Sequence, residues 1–121
     1  MKIAIPVDER SITSGVCPSF GRTPYYLFYD EQTKEPLFLE NAAAQSQGGA
    51  GVKAAQILVD AGAAVLLTPR CGENAQEVLQ QAGVQVYKTI PGTAQENIGA
   101  FADGRLDPLT EFHPGFHGHA R

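Results

Sequence analysis

The chain alternates between short apolar runs and amphipathic stretches, a pattern typical of an α/β domain. Apolar runs typical of strands lie at Ile3 to Val7, Tyr25 to Tyr29 and Leu37 to Leu39. Two further runs, at Ala63 to Thr68 and Val84 to Tyr87, are continuously apolar, as expected of strands covered on both faces. The pattern therefore predicts five strands.

Apolar residues recur at helical spacing in two segments, one after the third strand and one between the last two strands. The positions from Val52 to Gly62 and from Ala75 to Gly83 predict two helices. A capping box at Thr93 to Glu96 opens a third. The order β-β-β-α-β-α-β-α predicts a three-layer α/β fold with a mixed five-stranded sheet. We expect strands 1, 4 and 5 to be parallel, with strands 2 and 3 as an antiparallel hairpin beside strand 1.

Length and composition are consistent with one domain. The chain has 121 residues, of which 43% are apolar, enough for a single core. Two prolines and two glycines fall after Gly104, which is unfavourable for regular structure. We expect a domain over residues 1–107 and a flexible, histidine-containing tail over residues 108–121.

Charge and hydropathy narrow the classes of partner. Nine basic and thirteen acidic residues give a net charge of −4, and there is no Lys/Arg-rich stripe of the kind that binds a phosphate backbone. The opening run from Met1 to Val7 is too short for a secretory signal, and no apolar run approaches the ~20 residues that span a bilayer. We therefore expect a cytoplasmic protein with reduced cysteines and with neither a nucleic-acid nor a membrane partner.

The two cysteines are the first candidates for chemistry. Cys17 follows strand 1 and Cys71 follows strand 4, so parallel pairing of these strands would bring both thiols to the carboxyl edge of the sheet. Arg22 and Arg70 accompany them. Thiolates beside guanidinium groups suit an anionic iron–sulfur or copper/molybdenum–sulfur cluster. The alternative, that each cysteine only fills space in the core, stays open.

Two other motifs indicate binding of metals or anions. His113, His117 and His119 could wrap a metal ion, but a solvated tail with incidental affinity for divalent metals is the simpler explanation. The stretch Gly49 to Ala54 satisfies G-x-G-x-x-G/A, but strand 4 ends in Thr68 where a dinucleotide site needs an acidic residue. The start of that helix could still hold a small anion.

The alternative class is an enzyme. Nucleases with the ribonuclease H-like fold need clustered carboxylates to hold metal ions, and Asp8 stands where the first would be. The first predicted helix offers Lys53 and Gln56 instead of acids. A metal-dependent nuclease or hydrolase therefore remains the alternative to a binding protein, as does a small-anion or nucleotide-binding module.

Short blocks along most of the chain resemble one protein family. The early blocks are Met1 to Pro6, Phe20-Gly21-Arg22 with Pro24, Tyr25 and Tyr26, Tyr29-Asp30, and Asn41. The later blocks are Ala54-Ala55 with Leu58, Gly62-Ala63, Gly72 with Ala75, Leu79 with Gly83 and Val86, and Phe101 with Gly104 and Leu106. Their order and spacing over residues 1–107 resemble the dinitrogenase iron–molybdenum cofactor biosynthesis family, the NifX and NifB C-terminal type of domain.

This resemblance implies a ribonuclease H-like α/β/α fold without nuclease activity. It also implies a non-enzymatic binding or carrier protein, accessory to metallocofactor assembly. Such a protein takes an iron–sulfur or molybdenum-containing cluster and meets a cluster donor or acceptor protein, as a monomer or homodimer. The candidate cofactor-binding residues are then Cys17, Arg22, Asn41, Arg70 and Cys71. The family often has His directly before Phe-Gly, where this chain has Ser19, so one ligand is lost and Cys17 is its candidate replacement.

Overall fold

Five strands form one mixed sheet in the computed structural model, which describes residues 1–113. The strands are β1 (Lys2–Val7), β2 (Tyr25–Asp30), β3 (Pro36–Glu40), β4 (Ala63–Thr68) and β5 (Gln85–Lys88). Their order across the sheet is β3-β2-β1-β4-β5. β2 is antiparallel to both β1 and β3, whereas β4 is parallel to both β1 and β5. The predicted hairpin, parallel strands and mixed sheet are confirmed.

Helices cover both faces of this sheet. They are α1 (Ala50–Asp60), α2 (Glu73–Gln81) and α3 (Ala94–Ala102), with a short 3₁₀ turn at Ala42–Gln45 that the sequence pattern did not predict. α1 and α2 pack on the face that presents Tyr26 and Leu66. α3 packs on the opposite face. None of the helices within residues 1–113 is long and apolar enough to cross a membrane.

The loop between β1 and β2 is attached to the start of α3. Thr93 and Glu96 form the predicted capping box. The next two free N–H groups, of Ala94 and Gln95, donate to main-chain oxygens of that loop over 2.9 Å each. Because these donors are satisfied by the loop, its first half is fixed against α3.

The chain after α3 differs from the sequence interpretation. The predicted flexible tail began at residue 108, but residues 108–113 pack against the domain. The Leu109 side chain is 8% exposed, and its N–H donates to the oxygen of Val86 over 3.0 Å. Lys88 N–H donates to the oxygen of Asp107 over 2.8 Å. Burial of Leu109 and pairing with β5 hold this C-terminal segment, defined here as residues 105–113, in place. The predicted boundary is therefore too early.

Candidate functional site

A cavity of about 850 Å³ opens at the carboxyl edge of β1 and β4. Four pieces of chain form its walls: the β1–β2 loop, the glycine-rich loop before α1, the loop before α2, and the C-terminal segment. Its lining residues are Pro18, Ser19, Phe20, Gly21, Arg22, Gln47, Gly48, Gly49, Ala50, Gly51, Val52, Arg70, Gly72, Asn74, Ala75 and His113. The ligand site expected at this edge of the sheet therefore has a matching cavity.

Two arginines make this cavity positive. Arg22 is held by its Nη1, which donates to the oxygen of Ala44 over 2.9 Å, and by its N–H, which donates to Ser19 Oγ over 3.1 Å. Arg70 is held through its main-chain oxygen, which accepts from the buried Thr68 hydroxyl over 3.0 Å. The lining residues that the structure describes include no Asp or Glu. Since guanidinium groups stay charged at all physiological pH values, the cavity favours an anion.

The first turns of two helices add to this preference. α1 begins after Gly49, which lies in the left-handed region with a φ of 67°, and α2 begins after Gly72. Neither of these two capping residues supplies a side chain to accept from the helical N–H groups. Ala50 and Gly51 of α1 and Asn74 and Ala75 of α2 line the cavity, so the first turns of both helices lie beside it, although Glu73 in the first turn of α2 offsets part of the positive charge there.

Two glycines set the shape of the wall between Arg22 and α1. A Cβ atom on Gly21 would lie 2.9 Å from the nitrogen and 3.0 Å from the Cα of Gly51. The loop that carries Arg22 thus rests directly on the first turn of α1, backbone against backbone. In the sequence these two glycines belong to separate motifs, and their spacing does not predict the contact.

The two cysteines are buried and are absent from the cavity lining. Cys17 is 8% and Cys71 is 1% exposed. Burial raises the pKa of the Cys71 thiol to about 12, so this thiol is protonated at neutral pH. Burial also raises the pKa of Tyr26, and the nearby thiols Cys71 and Cys17 raise it further. The Tyr26 hydroxyl donates to the oxygen of the lining residue Phe20.

Joint ligation of a cluster by Cys17 and Cys71 stays a prediction. Within residues 1–113, no group of three or more His, Cys, Asp or Glu side chains is placed to share one metal ion. Cys17, Cys71 and His113 therefore do not form a three-ligand centre. The buried, protonated state of Cys71 fits the alternative that it fills space in the core.

The remaining candidates separate into structural and cavity residues. Asn41 is 4% exposed and uses its side chain internally: Oδ1 accepts from Ala43 N–H, and Nδ2 donates to the oxygens of Gly21 and Thr23. It holds the loop of Arg22 from behind and is not a lining residue. His113 lines the cavity. The predicted ligands His117 and His119 lie outside the described residues.

Comparison with known proteins decides the family. A sequence model of the dinitrogenase iron-molybdenum cofactor family matches residues 1–104. The chain belongs to this family. The family assignment predicted from the sequence blocks is thereby confirmed, and it associates the chain with a metal-containing cofactor. The C-terminal segment, including His113, lies beyond the matched residues.

Proteins similar to this chain come from several organisms. The apo form of the orange protein from Desulfovibrio gigas is 32% identical with a TM-score of 0.86, covering 90% of this chain and 92% of that one. A NifB-type protein from Thermotoga is 40% identical with a TM-score of 0.80, covering 92% and 95%. An uncharacterised protein of Methanocaldococcus jannaschii is 28% identical over 110 residues, covering 88% and 90%.

Proposed function

We propose that this protein binds an anionic metal–sulfur cluster in the cavity and carries it during metallocofactor assembly, without catalysing a reaction. The cluster is of the iron–sulfur or molybdenum-containing type. The observation on which this rests is that two arginines and two helix starts line one cavity whose described lining includes no carboxylate. Membership of the iron-molybdenum cofactor family supports a metal-containing cargo.

The chemistry of the lining suits such a cargo. Clusters built from metal ions and sulfide are commonly anions, and guanidinium and main-chain N–H groups donate hydrogen bonds to their sulfur atoms. A volume of about 850 Å³ is ample for a compact cluster. An open site with few direct ligands also allows release, which a carrier requires and a closed structural site prevents.

The apo form of one relative adds support. The Desulfovibrio orange protein was solved in an apo form, which implies that this relative also has a loaded form. A cargo and a donor or acceptor protein for it are carried over to this chain as part of the proposal. The ribonuclease H-like name for the fold and a cytoplasmic location stay predictions.

The enzyme and small-anion alternatives make different demands. A nuclease would require Asp8 as a metal ligand, so cleavage of RNA or DNA that is abolished by Asp8→Ala would favour it. A module for small anions would use the same arginines, because phosphate and sulfide clusters share negative charge. Competition by inorganic phosphate distinguishes a small-anion module from a cluster carrier.

The test uses tetrathiomolybdate, a coloured dianion of molybdenum and sulfide, as probe. Arg22→Ala and Arg70→Ala should each weaken its binding by roughly tenfold, since a hydrogen bond to a charged group contributes ~1.5 kcal/mol or more. Arg105→Ala is the matched control, because Arg105 is an exposed arginine that is absent from the lining and lies 3.5 Å from Asp103. Absorption titration measures tetrathiomolybdate binding by the three variants.

Two results would count against the proposal. If the two cavity variants bind tetrathiomolybdate as tightly as Arg105→Ala does, the cavity is not the site. If inorganic phosphate displaces the probe at comparable concentration, the small-anion module is the better description. Anaerobic reconstitution of the full chain with iron and sulfide, followed by metal analysis, then identifies whether iron is accepted.

A further inference from the structure

We propose that His113 is a nitrogen ligand for a metal atom of the cargo, delivered into the cavity by the C-terminal segment. This inference rests on the proposed function and names a direct ligand within the same site. It concerns a part of the chain beyond the residues that the family model matches.

The backbone of His113 is fixed at the start of α2. Its N–H donates to the oxygen of Cys71 over 3.2 Å, and its oxygen accepts from Glu73 N–H over 2.9 Å. Gly72, between these two partners, forms a parallel bridge with His113. The residue is therefore held from both sides by the loop that leads into α2.

The side chain of His113 occupies space that a glycine leaves open. A Cβ atom on Gly72 would lie 3.1 Å from the imidazole Cε1, 3.6 Å from Nδ1 and 3.7 Å from Nε2. Any larger residue at position 72 would thus press on the ring. With this space available, the imidazole lines the cavity together with Arg22 and Arg70.

Apolar contacts earlier in the segment keep His113 there. The buried Leu109 side chain belongs to the core beneath α1 and α2, and Phe112 packs against the same core. Pro108 forms an isolated bridge with Tyr87 of β5. Burial of Leu109 and partial burial of Phe112 stabilise the segment, so the imidazole is positioned before any cargo arrives.

Ligand chemistry favours the imidazole over its neighbours. Guanidinium groups have no lone pair to offer a metal ion, so the arginines contribute charge only. The Cys71 thiol is buried and is absent from the cavity lining. Neutral imidazole binds iron, copper, nickel and zinc, and in Rieske centres it replaces thiolate on one iron of an iron–sulfur cluster. Among the described lining residues, His113 is the one imidazole.

The test is anaerobic reconstitution of the full chain with iron and sulfide, after labelling histidine with ¹⁵N. We expect pulsed electron paramagnetic resonance of the reduced protein to detect a histidine nitrogen coupled to the cluster. His113→Ala should abolish this coupling and lower iron content several-fold. The double variant His117→Ala/His119→Ala is the matched control and should retain both.

A second variant guards against a folding defect. Gly72→Ala keeps the imidazole in the chain but takes its space, and should reduce the nitrogen coupling while circular dichroism stays that of the natural protein. Coupling that persists in His113→Ala, or that is lost only in the double variant, overturns the ligand assignment while the proposed function stands. A natural protein that takes up neither iron with sulfide nor tetrathiomolybdate overturns both.

Discussion

The contact between Gly21 and Gly51 gives a sharp test of how the cavity wall is built. In the variant Gly21→Ala, the added methyl group would lie 2.9 Å from a backbone nitrogen and 3.0 Å from a backbone Cα of Gly51, and 3.3 Å from the carbonyl carbon of Ala50. All three atoms belong to the first turn of α1. No flexible side chain can move aside, so the loop or the helix start must shift.

The cost follows from this geometry. Carbon and nitrogen atoms in ordinary contact lie ~3.5 Å or more apart, so relief requires a displacement of roughly half an ångström. Overpacking of this kind typically costs about 1–3 kcal/mol. For a domain of this size, that lowers the melting temperature by roughly 4–12 °C. Because Arg22 is next in the chain, the same shift should weaken tetrathiomolybdate binding.

Urea unfolding at neutral pH measures the change in the free energy of unfolding, with Gly48→Ala as matched control. Gly48 lines the same cavity, yet a Cβ atom there meets nothing within 4 Å. The control should stay within about 0.5 kcal/mol of the natural protein, or gain slightly from reduced unfolded-state entropy. Equal stability of the two variants would refute the backbone contact.

Four other substitutions test the surroundings of the cavity. Asn41→Ala should lower the free energy of unfolding by about 2–4 kcal/mol in urea titration, because it leaves two buried main-chain partners and a partly buried one unpaired; a loss below ~1 kcal/mol would contradict this. Cys17→Ser and Cys71→Ser should both lower iron content after reconstitution if the thiols ligate, and unchanged content would establish a packing role. Thiolate ligation also predicts tighter iron binding as pH rises, because the Cys71 proton must leave. Burial raises the pKa of the Cys71 thiol from 9.0 to about 12 in the folded protein, so this thiol should lower the free energy of unfolding by up to about 1.4 kcal/mol per pH unit between about pH 9 and 12. Cys71→Ala should remove this contribution and leave the one that the buried Tyr26 makes above about pH 10.

The fold was predictable where a continuous run of apolar residues indicates a buried element. β4 lies at Ala63–Thr68, the same bounds as the apolar run, because both faces of that strand are covered and no polar residue interrupts it. No comparable sequence pattern predicts the turn at Ala42–Gln45. It depends on Asn41 reaching back to Gly21 and Thr23, a contact between distant parts of the chain.

The candidate site was predictable only in part, for the same reason. Connectivity alone brings Arg22 and Arg70 to one edge of the sheet, since the loops after neighbouring parallel strands share that edge. Whether a cysteine in those loops faces the cavity or the core depends on side-chain direction, which spacing does not specify. Leu109 was predicted to lie in a tail because a single leucine beside Pro108 shows no periodicity. Its burial follows from pairing with β5.

The pairing of the C-terminal segment with β5 also changes how this sheet meets other chains. Sheets aggregate through unpaired N–H and C=O groups on their outer strands. One outer strand, β5, has its donors and acceptors partly taken by residues 107–109. In the part of the chain that the structure describes, the opposite outer strand is β3, which is five residues long and begins with Pro36, a residue without an N–H. Removal of the segment would expose β5, so truncation before residue 105 should increase self-association at high concentration.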